Sequence, residues 1–284
     1  MTATLNAPVE SQRSVPRLRP IERPLGFEGF WARYGNIVGT LINVSTFFII
    51  WELAARAQVL PRLLLPPVSE IIGEFLELAQ SGQLFYHLTF TVSTLTTGFL
   101  IATAAGVPIG LLLGASRKME RILGPYMWAL FATPRLALLP LITVAMGFGF
   151  APKVLLIFLA SFFVIAIDTW AGVKTVEPSL IRAARVFGAN RAQIFAKVVV
   201  PYTLPFIVNG LRVGVTRAII TALVAEMIAS SRGLGYVVVR SMDTFNTARM
   251  YSMVLLLVFT SLAIVSLLRW LEAKVAPWRE VGSI

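Results

Sequence analysis

The chain has 284 residues, of which 57% are hydrophobic and only 14% charged, with a mean hydropathy of +0.78. Soluble domains carry about 25% charged residues, so the composition excludes a pair of soluble domains; the high apolar content and the lack of cysteine exclude a disordered chain and a disulfide scaffold. What remains is a polytopic membrane protein, all-α, whose 25 basic against 14 acidic residues read as Lys- and Arg-rich cytoplasmic loops rather than a nucleic-acid surface.

Residues 1–25 contain four Arg and four Pro without an apolar run, which fits a flexible tail and not a signal peptide. Phe27, Phe30, Trp31 and Tyr34 then recur at helical spacing; this aromatic face suits a helix lying on the membrane surface, or equally an extension of the first span. A crossing needs about 20 apolar residues. Six segments qualify, near 36–54, 88–114, 122–152, 154–173, 202–228 and 250–268. With the N-terminus inside, 16 Lys and Arg fall on the cytoplasmic side and six outside, so both termini are expected in the cytoplasm. Arg135 interrupts the third segment. A mid-membrane guanidinium is costly, so this span is expected to begin at Pro134, with Arg135 at its cytoplasmic end.

Between the first two spans, Ile71, Ile72, Phe75, Leu76 and Ala79 share one face of a predicted helix over 69–80, with Glu70, Glu74 and Glu77 elsewhere as a solvated face. Span two spaces Gly98, Ala102, Gly106, Gly110 and Gly114 four apart, a groove for close helix approach and more suited to an internal contact than to a dimer seam. Pro108 predicts a kink there. The single His, His87, reads as an interfacial residue.

The loop at 174–200 carries the most information. Pro178 suits a first helical turn, and Leu180, Ala183, Ala184 and Phe187 form an apolar stripe. Gly188 ends that helix, Asn190 with Gln193 resembles a capping box opening a second, and Pro201 marks the entry to span five. A partner could dock on this hairpin, or it could pack under its own bundle.

Residues 182–201, RAARVFGANRAQIFAKVVVP, resemble the cytoplasmic-loop signature of ABC-importer permeases. Ala183 and Ala184 match its alanines, Gly188 its glycine, and Val198, Val200 and Pro201 its closing Ile-x-Leu-Pro; Arg182 stands where the signature has Glu. LLLPPVSEI (63–71), ATPRLALLPLITVAMGFG (132–149) and ALVAEMIASSRGLGYVV (222–238) are similar to permeases of the nitrate, sulfonate, taurine and bicarbonate group. The resemblance implies a type I ABC-importer permease fold with six transmembrane helices. The resemblance covers roughly residues 50–272; the expected division is a cytoplasmic tail and interfacial helix over 1–35, a permease domain over 36–272 with a coupling loop at 174–200, and a cytoplasmic C-terminus over 273–284. The resemblance further implies a permease homodimer in the lipid of the bacterial inner membrane, two cytoplasmic ABC ATPase subunits and an extracytoplasmic solute-binding protein.

The chain has no G-x-x-x-x-G-K-[ST] loop, so ATP has to be bound and hydrolysed by a partner and the chain is expected to be neither an enzyme nor a cofactor or metal protein. Asp168, Arg212, Arg217 and Glu226 fall inside spans and are candidates for a solute path. The other reading is that each arginine pairs with an acid to hold helices together. Arg212 and Glu226 lie about 21 Å apart along one helix and cannot pair. An ion-gradient-driven secondary transporter is the alternative, but its inverted repeats are not evident.

Overall fold

The computed structural model describes the backbone of residues 27–275 and the side chains of residues 38–270. The tail, the residues after 275 and the aromatic face formed by Phe27, Phe30, Trp31 and Tyr34 lie outside what is described. Among the described residues every regular element is helical. Helix α1 runs from Phe27 to Arg56 without a break, so the backbone passes continuously into the first span. The chain divides at Trp51: residues up to it form one unit and residues from Glu52 on a second. The second unit contains everything that follows.

Four long helices make its body: α3 (Gln83–Ala115), α6 (Phe150–Lys174), α9 (Val200–Ile228) and α11 (Thr247–Val275). The small-residue stripe of α3 meets α6. A Cβ added at Gly98 would come within 2.7 Å of Ile157, and one at Gly106 within 3.1 Å of Ile165; at Gly110 it would strike Thr169 and at Gly114 Val173. The stripe is thus an internal seam, as its spacing suggested. Residue numbers rise together along both helices, so α3 and α6 run parallel. Along α9 they fall: Gly210 faces Asp168, Ser161 Oγ donates to the Gly214 carbonyl at 3.0 Å, and Lys153 Nζ to the Ala229 carbonyl at 2.8 Å. Helix α9 is therefore antiparallel to α6. Helix α11 follows α3, with Met253 and Leu257 clustering with Leu84, and Ile264 packing against the cluster that holds Leu95.

The third span departs from expectation. It is neither one helix over 122–152 nor a segment starting at Pro134. Helix α4 (Arg117–Ala132), capped by Ser116, whose Oγ accepts from the Met119 N–H at 3.3 Å, meets residues 135–146 at an 81° bend. Those residues form a 3₁₀ turn, Arg135–Leu138, and α5 (Leu139–Met146). Pro134 lacks an N–H and disfavours helical backbone at the preceding Thr133, so the helix stops there. Among the described residues five helices are long and apolar enough to cross a membrane, and the bent pair, taken as one span, makes six. The parallel pairing of α3 with α6 decides the matter: the chain between them has to return the length of the bundle, and the bent pair is that return. Arg135 is also displaced from its expected place. Its guanidinium lies 5.2 Å from the Phe163 ring centre, halfway along α6, because α4 has already climbed past Trp170, beside Gly124, before the chain turns.

The two ends of the bundle differ. At one end lie α7 (Pro178–Val186), α8 (Arg191–Ile194) and the start of α4, the last tied to α6 by the Lys174–Glu120 ion pair. At the other lie α2 (Val68–Gln80) and α10 (Leu234–Asp243). Helix α2 buries Ile71 and Leu78 and packs Phe75 and Ala79 against the core, while Ile72 and Leu76 are exposed; the expected face is rotated toward 71, 74, 75 and 78. Its acids are not simply solvated. Glu74 accepts from Asn246 Nδ2 and Arg249 Nε at 2.8 Å each, and Glu77 and Glu70 face Arg249 and Arg62. Partial burial pushes the Glu74 carboxyl up, but the Asn246 and Arg249 hydrogen bonds and the Arg249 charge outweigh it and hold its pKa below 4.5.

Two outcomes are expected. Gly110→Val has no room at the α3–α6 seam and lowers the thermal midpoint in detergent, whereas Gly73→Ala, where a Cβ meets nothing within 4 Å, leaves it in place or raises it. Because Glu74 titrates below its unfolded value, its pairing stabilises above pH 4.5 and is lost as pH falls through the depressed value. Arg249→Met therefore lowers the midpoint at neutral pH, and the gap from the parent protein narrows on acidification.

Candidate functional site

The hairpin at 178–200 is built by local rules. Helix α7 opens on Pro178 and closes in a Schellman motif: the Gly188 N–H donates to the Arg185 carbonyl at 2.9 Å and the Ala189 N–H to the Ala184 carbonyl at 3.0 Å. Gly188 sits at φ +79°, a left-handed conformation that a side chain disfavours. The Asn190–Gln193 capping box is formed, both bonds at 2.9 Å. A π-turn over Phe195–Val199 follows, the Val200 N–H donating to the Phe195 carbonyl. The extra residue in that turn precedes Pro201, which has no N–H to continue an ordinary helical ladder.

The expected stripe is split by the fold. Ala184 is half-buried and, with Ile181, packs against Val173, Val176, Ile194 and Val199. Leu180, Arg182 and Ala183 face solvent, and Phe187 is 89% exposed. Ala184, Phe187, Gly188 and Val198 share one concavity, floored by Ile194 and edged by Lys197. Val200 and Pro201 stand apart from it, on the first turn of α9. Sequence reasoning missed Val186, 85% exposed beside Phe187, because a helical wheel puts it about 110° from the centre of the stripe; only the end of α7 at that point leaves both side chains outward. The hairpin therefore uses one face to hold itself under the bundle and offers another, with Arg182 and Arg185 on its flank.

The charges inside the spans are dispersed. Asp168 accepts from Asn209 Nδ2 at 2.9 Å across the α6–α9 contact. Arg212 is half-buried on α9 and Arg217 is exposed. Glu226 lies far from all three, at the α10 end, 1% exposed. It accepts from Thr91 Oγ1 at 2.9 Å and from the Gly235 N–H at 3.0 Å; Thr91 in turn accepts from the Leu234 N–H at 2.9 Å. His87 Nδ1 accepts from the Gly233 N–H at 3.2 Å. Gly233 has φ +106°, and a Cβ there would strike the Glu226 carboxyl group. Lys153, also 1% exposed, closes the same turn by donating to the Gly149 and Ala229 carbonyls at 2.8 Å. Thus His87 is more than an interfacial residue and Glu226 is a clasp for residues 229–235. Lys153, one of the six basic residues assigned from sequence to the outside, belongs to it; its place in the first turn of α6 was the available signal. Among the described residues no cluster of His, Asp or Glu could hold a metal ion.

Comparison with known proteins places this arrangement. Residues 106–280 match the family model described as the binding-protein-dependent transport system inner membrane component. A protein of Bacillus subtilis (strain 168) named for aliphatic sulfonate transport, SsuC, is 33% identical over 87% of this chain and 89% of its own. The taurine transport system permease protein TauC of Escherichia coli (strain K12) is 32% identical over 85% and 88%, and the formylaminopyrimidine transport permease protein ThiX of Halalkalibacterium halodurans is 30% identical over 82% and 92%. A structure of the MetNI methionine ABC transporter aligns with 70% of this chain and 97% of its own at a TM-score of 0.59 and 20% identity, a likeness of fold alone. The fold is that of a type I ABC-importer permease, and the chain belongs to the binding-protein-dependent transport system inner membrane component family.

Proposed function

We infer that this permease subunit imports a small sulfonate-type anion, driven by a separate ABC ATPase that grips the α7–α8 hairpin. The observation that carries the reading is the hairpin itself: two large apolar side chains, Val186 and Phe187, stand 85% and 89% exposed on a turn locked by Gly188 and the Asn190–Gln193 box. Rigidly presented, contiguous apolar surface is the mark of a docking site. The absence of a phosphate loop in the sequence leaves ATP to the partner.

The permease works as a homodimer in the bacterial inner membrane and receives solute from an extracytoplasmic binding protein. The hairpin faces the cytoplasm. The described end of α11 lies at the same end of the bundle, since α11 runs parallel to α3 and α6, and this supports a cytoplasmic C-terminus. The surplus of Lys and Arg assigned to that side accords with the positive-inside rule. Residues 1–35 and 273–284 flank the permease domain as cytoplasmic segments. The sulfonate class is supported by the names of the relatives for which identity is 32–33%.

Removing one central aromatic anchor costs about 2 kcal/mol or more. Phe187→Ala is therefore expected to weaken capture of the ATPase subunit about thirtyfold, and Gly188→Pro, which φ +79° forbids, to abolish it while membrane insertion persists. Arg182→Glu alters the coupling of ATP hydrolysis to uptake. In liposomes, uptake requires the ATPase and ATP; uptake on an ion gradient alone would support the secondary-transporter reading instead.

A further inference from the structure

The geometry points to an anion-binding site at mid-depth, made by Arg135 at the break of the third span and Arg217 on α9. It rests on the sulfonate reading above and deepens it.

Arg135 is held, not loose. Its Nη2 donates to the Phe131 carbonyl at 2.6 Å, and its guanidinium lies 5.3 Å and 5.2 Å from the ring centres of Phe131 and Phe163. Two aromatic contacts fix the orientation of the fork. Its Nε is buried and has no hydrogen-bond partner, and an unsatisfied buried donor is rare. Arg217 lies on the helix that packs against the Arg135–Leu138 turn, three residues beyond Gly214, which meets Ile165, two residues from the Phe163 ring that Arg135 covers. Among the described residues neither arginine is in an ion pair.

Depth makes the pair significant. Phe163 is midway along α6, and Gly214, one turn before Arg217, takes the Ser161 hydrogen bond near the same level. An exposed guanidinium at this depth is not tolerated against lipid, and two like charges together less so. Broken backbone at membrane depth survives only inside protein or along a water-filled cavity, and interrupted helices are where transporters bind solute. A water-filled path passing the Thr133–Arg135 break satisfies all of these conditions. The ligand that suits two guanidinium groups, neither of them in an ion pair, is a monoanion with several equivalent oxygens, a sulfonate.

The test uses the purified complex of this chain with its ATPase, without the binding protein, and radiolabelled ethanesulfonate as probe. Arg135→Gln and Arg217→Gln are each expected to weaken ethanesulfonate binding about tenfold or more, Arg217→Lys to retain most of it, and all variants to keep ATPase association and thermal midpoint. Unchanged binding in the Gln variants overturns the site, as does a fall in midpoint with unchanged binding per folded complex, which marks the arginines as structural. A parallel uptake assay in liposomes, with the solute-binding protein supplied, separates the premises. Wild-type uptake of ethanesulfonate with unaffected Gln variants overturns the site alone; no ATP-driven uptake by the wild type overturns the sulfonate reading and the site with it.

Discussion

The parallel packing of α3 on α6 is the constraint from which the remaining topology follows. Close approach requires side chains no larger than alanine along one line of α3, and Gly98, Ala102, Gly106, Gly110 and Gly114 provide it against Ile157, Ile165, Thr169 and Val173. Without a hydrophobic driving force between helices in lipid, such shape matching is what associates them. Two parallel neighbours cannot be joined by a tight turn, so residues 116–149 have to travel back along the bundle. Pro134 makes that return in two pieces, and the bend carries a guanidinium to a depth where a continuous amphipathic pattern would not have placed one.

The two ends of the bundle then receive opposite treatment. At the α10 end, backbone N–H groups of 233–235 are consumed one by one by His87, Thr91 and Glu226, and Lys153 takes two carbonyls. Such a network is rigid because each buried polar group there depends on its neighbours. At the α7 end the backbone is satisfied just as fully, through the Schellman and capping-box bonds, but the side chains on top are apolar and uncovered. One end is closed upon itself, and the other leaves Val186 and Phe187 exposed to solvent.

Much of the site was legible because it depends on short-range rules. Gly188, Asn190, Gln193 and Pro201 act within a few residues of themselves, so bend, cap and re-entry could be read from spacing alone. The same locality misled elsewhere. The stripe through Leu180, Ala183, Ala184 and Phe187 was assembled on an ideal wheel, but α7 ends before Phe187, and Ile181 and Ala184 turn toward a core contributed by α6 and α9. The role of Glu226 was invisible because its partner Thr91 is 135 positions away, while Gly235, nine residues on, reaches it only by a reversal of the chain.

By itself the sequence determined the number of apolar segments, the glycine seam, the turn chemistry of the hairpin and the likeness to a permease family, because each is a matter of composition or of spacing within one or two helical turns. The tertiary structure alone decided that the third span is bent, that Arg135 sits halfway along α6, and that Glu226 clasps the α10 end. Those outcomes depend on which helices run parallel and at what height they meet, and nothing in the local pattern of a single helix encodes the height of its neighbour.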